Sequence, residues 1–92
     1  MNRTDNTQNS IVSALRSAGC SVIILSQAGR STPGCPDLGV GYHGKNYFLE
    51  CKSDNGKLTE AEQRFQDTWK GSYFVVRTPS EAFEAIGIKE VH

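Results

Sequence analysis

The sequence predicts an α/β domain: a small mixed β-sheet flanked by helices, in the order αβββαβα. Three observations carry that prediction. Apolar residues recur at helical spacing in three segments, each followed by a glycine stop at Gly19, Gly71 or Gly87. Four short runs rich in β-branched and aromatic residues lie among them, too short to be helices. The chain has 92 residues, room for one core, so residues 1–92 are expected to form a single domain.

The first helix is expected over residues 7–18, where Ile11, Val12, Leu15 and Ala18 mark one face. Val22 to Leu25 is apolar on both faces, which predicts a strand buried on both sides. Ser26 to Cys35 is rich in Gly, Ser and Pro and reads as a long, function-bearing loop. Residues 37–42 and 46–52 read as a hairpin joined through His43, Gly44 and Lys45, with glycine where positive φ is needed. After the polar loop Ser53 to Leu58, Thr59 and Glu62 form a capping box for a helix from Glu60 to Lys70. Ser72 to Arg77 is the fourth strand. Thr78, Pro79 and Glu81 predict a last helix with a second capping box. The strand–helix–strand unit from Tyr47 to Arg77 calls for a right-handed parallel crossover.

Ten basic residues balance ten acidic ones, and 37% of residues are hydrophobic, which fits a folded globule and excludes charge-driven disorder. The balance is uneven along the chain. Residues 1–58 carry two more basic than acidic residues and residues 59–92 the reverse, so a neutral total does not exclude a nucleic-acid partner. The acidic excess, Glu81, Glu84 and Glu90 included, is expected to face away from a polyanion. No apolar stretch is long enough to span a membrane, and the start has no apolar signal core, which points to the cytoplasm. Three cysteines without a CxxC pair suit neither a disulfide framework nor a zinc site.

The hairpin places charge where function is expected. If it turns on His43 and Gly44, partner numbers run Tyr42 with Lys45 and, further along, Asp37 with Glu50. Cross-strand β-carbons lie about 5 Å apart, so two carboxylates would share one spot, where like charges repel by several tenths of a kcal/mol. Lys52 points to the same face as Glu50, while Leu38, Val40, Tyr47, Leu49 and Cys51 take the other and form the core face. Gly39 and Gly41 leave the charged face without side chains, as though something approaches there. Two oxygen donors across a hairpin suit a hard cation such as Mg2+, with the Cys51 carbonyl as a further ligand. A lysine beside them can stabilise charge developing at phosphorus or hold an attacking water. The chemistry indicated is phosphodiester hydrolysis. A turn centred one residue later would instead set Asp37 opposite Lys52 as an ordinary salt bridge.

The strings GCPDLGV (Gly34 to Val40), FLECK (Phe48 to Lys52) and GKLTEAEQ (Gly56 to Gln63), in this order, resemble the PD-(D/E)xK nuclease superfamily, and within it the small stand-alone VRR-NUC domains of phages and bacteria. The resemblance spans Gln8 to about Ile86. It implies a restriction-endonuclease-like core and an Mg2+- or Mn2+-dependent, structure-selective DNA endonuclease, acting on branched DNA such as Holliday junctions as a homodimer, in the host cytoplasm if phage-encoded. Asp37 and Glu50 match the metal-binding acids, Lys52 the catalytic lysine, and Gln63 a glutamine that such domains place beside the site. One departure stands out: the family's glutamate near the start of the first helix has no counterpart in TDNTQNSIV, where Asp5, Gln8 and Asn9 are the only candidates. That absence motivates an alternative, a DNA-binding or assembly protein with a degenerate nuclease site.

Other signals are weaker. Gly39, Gly41 and Gly44 spell GxGxxG but lie in a strand and its turn, not ahead of a helix. Arg30, Ser31, Lys57 and Arg64, with Gln27 and Thr32, offer phosphate donors around the acids. Phe65 and Trp69, spaced with Ala61, read as core residues, as do Tyr42, Tyr73 and Phe74. Nothing basic adjoins Cys35 to activate its thiol.

Overall fold

The computed structural model describes residues 3–26 and 31–89, with side chains from residue 6 onward. Its elements follow the predicted order: α1 Arg3–Ser17, β1 Ser21–Ile24, β2 Leu38–Tyr42, β3 Lys45–Cys51, α2 Glu60–Thr68, β4 Tyr73–Val76 and α3 Pro79–Ile86. The four strands form one mixed sheet in the order β1-β2-β3-β4. β1–β2 and β2–β3 are antiparallel, and β3–β4, joined through α2, is parallel.

Helix α1 starts at Arg3, four residues before its expected start, because the sequence of its first turn is polar and offers no apolar periodicity to read. Ile11, Val12 and Leu15 pack into the core with Leu38, Val40, Leu49, Cys51, Val76, Ala82 and Ile86, so α1 and α3 cover one sheet face. Gly19, at φ 92°, turns the chain out of α1, and Arg16 donates to the Val22 carbonyl at 3.1 Å, tying the helix end to β1. The hairpin turn is built on His43 and Gly44, with φ of 49° and 78°, the double positive-φ geometry that matches strand twist.

β1 corrects the expectation of a strand buried on both sides. Among the described residues it is an edge strand, bonded to β2 alone, with Ile23 60% and Ile24 46% exposed while Val22 is buried. An apolar run cannot say whether a helix will cover its second face, and here α2 sits over the other half of the sheet. The stripped look of the charged face also has a local reason: a Cβ on Gly39 would come within 2.9 Å of Ile23 Cγ1, so the cross-strand isoleucine fills that space.

Helix α2 has the predicted capping box in full, Thr59 Oγ1 accepting from Glu62 N at 3.2 Å and Glu62 Oε1 accepting from Thr59 N at 2.9 Å. No residue of α2 is fully buried. It is held instead by aromatic contacts: Phe65 stacks on Trp69 at 5.2 Å, and Phe48 and Tyr73 meet Phe65 at 6.3 and 5.7 Å. These residues therefore form a second cluster on the face opposite the core, and the expected core placement fails for Trp69, 44% exposed, and Phe74, 37% exposed. At α3, Thr78 Oγ1 accepts from Glu81 N, but the Glu81 carboxylate bonds Arg77 N, so the second capping box is only half formed. Among the described residues no helix is long and apolar enough to cross a membrane.

Candidate active site

Asp37 reaches Glu50 because the hairpin takes the register centred on His43 and Gly44. The ladder runs from Tyr42↔Lys45 to Leu38↔Leu49, and the next step places Asp37 across from Glu50. Asp37 Oδ2 accepts the Cys51 N–H at 2.8 Å, which fastens the carboxylate against β3. The alternative register, with Asp37 paired to Lys52, does not form.

Lys52 lies two residues beyond Glu50 and therefore on its face. Its Nζ is 3.3 Å from Glu50 Oε2 and 2.8 Å from Glu62 Oε1. Glu62 arrives from α2, and the placement of α2 depends on Gly34. A Cβ at Gly34 would overlap the Ala61 carbonyl and approach Glu62 N within 2.8 Å, and its φ of 78° suits glycine. The GCPD loop thus lets the first turn of α2 settle directly against it. The Glu62 oxygen that closes the capping box is the same one that holds the lysine.

Three carboxylates and one ammonium therefore share a poorly solvated corner. Burial, then the Asp37 charge, pushes the Glu50 carboxyl up to about 8. Burial also raises Asp37, against the lowering effect of the Cys51 N–H. Burial opposes the charge on Lys52, but its hydrogen bond to Glu62 and the charge of Glu50 win, so the ammonium is held above its ordinary pKa. Burial likewise opposes ionisation of Glu62, yet the bonds from Lys52 and Thr59 carry it below the usual range. Lys52 and Glu62 are therefore an ion pair, while burial and the Asp37 charge, only partly offset by Lys52, favour the protonated form of Glu50 in the metal-free site.

That deficit fits a divalent cation. Glu50 is 2% exposed, and its Oε1 is buried without a hydrogen-bond partner among the described residues. Asp37 offers a second carboxylate from the neighbouring strand. Mg2+ takes one or two protein carboxylates and keeps several waters, so this pair suits it although no group of three or more His, Cys, Asp or Glu is arranged for a metal among the described residues. The Cys51 thiol is fully buried in the core, so that residue has only main-chain atoms to offer the site.

The remaining candidates are placed differently. Gln63 is exposed, and its amide donates along α2 to Gln66 at 3.1 Å and Asp67 at 3.0 Å, so it is not brought to the acids. Its neighbour Glu62 occupies that place. The sequence did contain a signal for Glu62, since an N3 capping residue faces the chain preceding its helix, but the signal reads first as helix punctuation. Glu62 also shows that part of the acidic second half turns toward the site. Ser31, Lys57 and Arg64 are exposed and free of ion pairs among the described residues, whereas Arg30 and Gln27 lie outside them. The side chain of Asp5 lies outside them as well, and neither Gln8 nor Asn9 makes a hydrogen bond or ion pair to the acids. The Cys35 thiol is raised by burial and by the Glu50 and Asp37 charges, consistent with an inert thiol.

No protein-family model matches the chain, and no curated protein does. A solved structure described as a VRR-NUC domain is similar, with a TM-score of 0.75 and 26% identity over 95% of this chain and 97% of that one. Together with the three sequence strings and the αβββαβα order, this likeness places the chain among VRR-NUC domain proteins, with the fold of that nuclease domain.

Proposed function

We propose that the chain is a divalent-metal-dependent endodeoxyribonuclease, a hydrolase selective for DNA structure and acting on branched DNA. The observation that carries the reading is the pairing of Asp37 with a buried Glu50 whose Oε1 has no hydrogen-bond partner among the described residues, on the face where Lys52 stands. Asp37 and Glu50 would hold Mg2+ or Mn2+, with the Cys51 carbonyl as a further donor. A bound divalent ion supplies Lewis acidity and a water of lowered pKa.

The chain's own groups do the rest. Lys52, kept charged by Glu62 and Glu50, brings positive charge to the place where negative charge develops on the phosphate. Because it keeps its proton, it acts as an electrostatic and hydrogen-bonding group rather than as a general base. Ser31, Lys57 and Arg64, with Arg30, are the proposed backbone contacts that hold the DNA. Branched DNA and a homodimeric state rest on the resemblance to VRR-NUC domains.

The test is cleavage of labelled four-way junctions, flaps and linear duplexes in Mg2+ and Mn2+ by the parent, Asp37→Ala and Lys52→Ala. Both variants should keep the circular dichroism of the parent and lose cleavage by at least about 100-fold. Undiminished cutting by either one refutes the assignment.

A further inference from the structure

Two buried side-chain polar atoms lack a hydrogen-bond partner among the described residues, Glu50 Oε1 and Tyr73 Oη. They share a sheet face. The β3–β4 register pairs Phe48 with Tyr73 and Glu50 with Val75, so Tyr73 stands one diagonal step from Glu50, within reach of a long side chain. The Tyr73 ring packs on Phe65 at 5.7 Å, and Phe65 in turn stacks on Trp69, so the aromatic cluster holds the ring on the site's face of the sheet.

A buried hydroxyl left unpaired is destabilising, and a phenylalanine would pack the same ring without that penalty. The two orphans are complementary: a phenol donates, a carboxylate oxygen accepts, and a water can do both. Burial and the charges of Glu50, Glu62 and Asp37 keep the phenol protonated, so it meets the acids as a donor.

We propose that Tyr73 is a positioning residue of the active centre, its hydroxyl joined to Glu50 Oε1 through one ordered water, fixing the carboxylate that faces the metal. This rests on the nuclease reading, and the tests are chosen so that the two can fail separately. The variant is Tyr73→Phe, which removes one oxygen and leaves the packing.

The first measurement needs neither metal nor activity: thermal melts in EDTA of the parent, Tyr73→Phe, Glu50→Gln and the double variant. A link between the two groups makes the effect of Tyr73→Phe on Tm in the parent differ from its effect in the Glu50→Gln background. Equal shifts in both backgrounds overturn the proposal, whether or not the protein cuts DNA. The second measurement is Mn2+ affinity by calorimetry together with the kinetics of junction cleavage. Loss of a group that orients a metal ligand typically costs 10–100-fold, so Tyr73→Phe should weaken Mn2+ binding and lower kcat by at least about tenfold, with KM for DNA little changed. Parent-like Mn2+ affinity and kcat would overturn the placement of Tyr73 in the centre. A parent that binds Mn2+ but cuts no DNA would refute the nuclease reading alone, leaving melts and Mn2+ affinity to decide the role of Tyr73.

Discussion

Replacing Glu50 by glutamine isolates the electrostatics of the site while keeping the shape of the side chain. Glu50 is 2% exposed, and burial with the Asp37 charge moves its carboxyl from 4.5 to about 8. Between those values the folded, metal-free protein holds a proton that the unfolded chain has released. Its stability must therefore fall as pH rises from about 4.5 to about 8. Asp37, raised chiefly by burial, adds to the same trend. Glu62, lowered on balance, contributes stability that is already present above its unfolded value and is lost only at lower pH. Lys52, raised on balance, keeps its contribution until pH climbs past its unfolded value, above this window. Each pH unit is worth about 1.4 kcal/mol, which sets a ceiling on the order of 4 kcal/mol for Glu50. At roughly 4–8 °C per kcal/mol for a domain of this size, the parent should melt at least about 10 °C lower at pH 8 than at pH 5. Glu50→Gln should show a much flatter profile and melt above the parent at pH 8. The assay is thermal unfolding by circular dichroism in EDTA at four pH values from 5 to 8. A pH-independent parent, or a Glu50→Gln variant with the parent's slope, refutes the reasoning.

Other outcomes follow from the same geometry. Metal binding must displace the Glu50 proton, so Mn2+ affinity should rise by up to about tenfold per pH unit between 6 and 8, with proton release measurable by calorimetry in buffers of different ionisation enthalpy. Removing metal with EDTA at pH 8 should lower the melting temperature of the parent and leave that of Glu50→Gln nearly unchanged. Gly34→Ala should destabilise the fold by at least about 1 kcal/mol, seen in urea unfolding, because its Cβ meets the Ala61 carbonyl and its φ is positive. Glu62→Ala should reduce cleavage well beyond Thr59→Ala, although both weaken the same helix cap by about 1 kcal/mol, because only Glu62 holds Lys52. Gln63→Ala should cut like the parent, since its amide is engaged with Gln66 and Asp67.

The elements and the acid pair were legible because they are written in short-range patterns. Periodicity, caps and glycine stops mark each helix within a few residues. The pairing of Asp37 with Glu50 follows from a turn whose chemistry, His43 and Gly44 both at positive φ, leaves little choice of register. Boundaries are poorer where no apolar residue marks them, as at the polar first turn of α1. Gln63 was carried over from a family pattern, and one residue along a helix is a rotation of about 100°, enough to turn a side chain from the site to solvent.

What local rules cannot carry is which face of an apolar segment meets protein. Val22, Ile23 and Ile24 read alike, yet one is buried and two are exposed, because coverage depends on where the helices come to rest over each face of the sheet. The same long-range packing brings Glu62 to Lys52 and sets Tyr73 beside Glu50, residues separated by 10 and 23 positions in the chain. The sequence thus determines the scaffold and the two acids, whose positions depend on one tight turn. The tertiary structure alone decides how those acids are desolvated, which lysine partner they have and what completes the centre, since burial and charge are properties of neighbours brought together by folding.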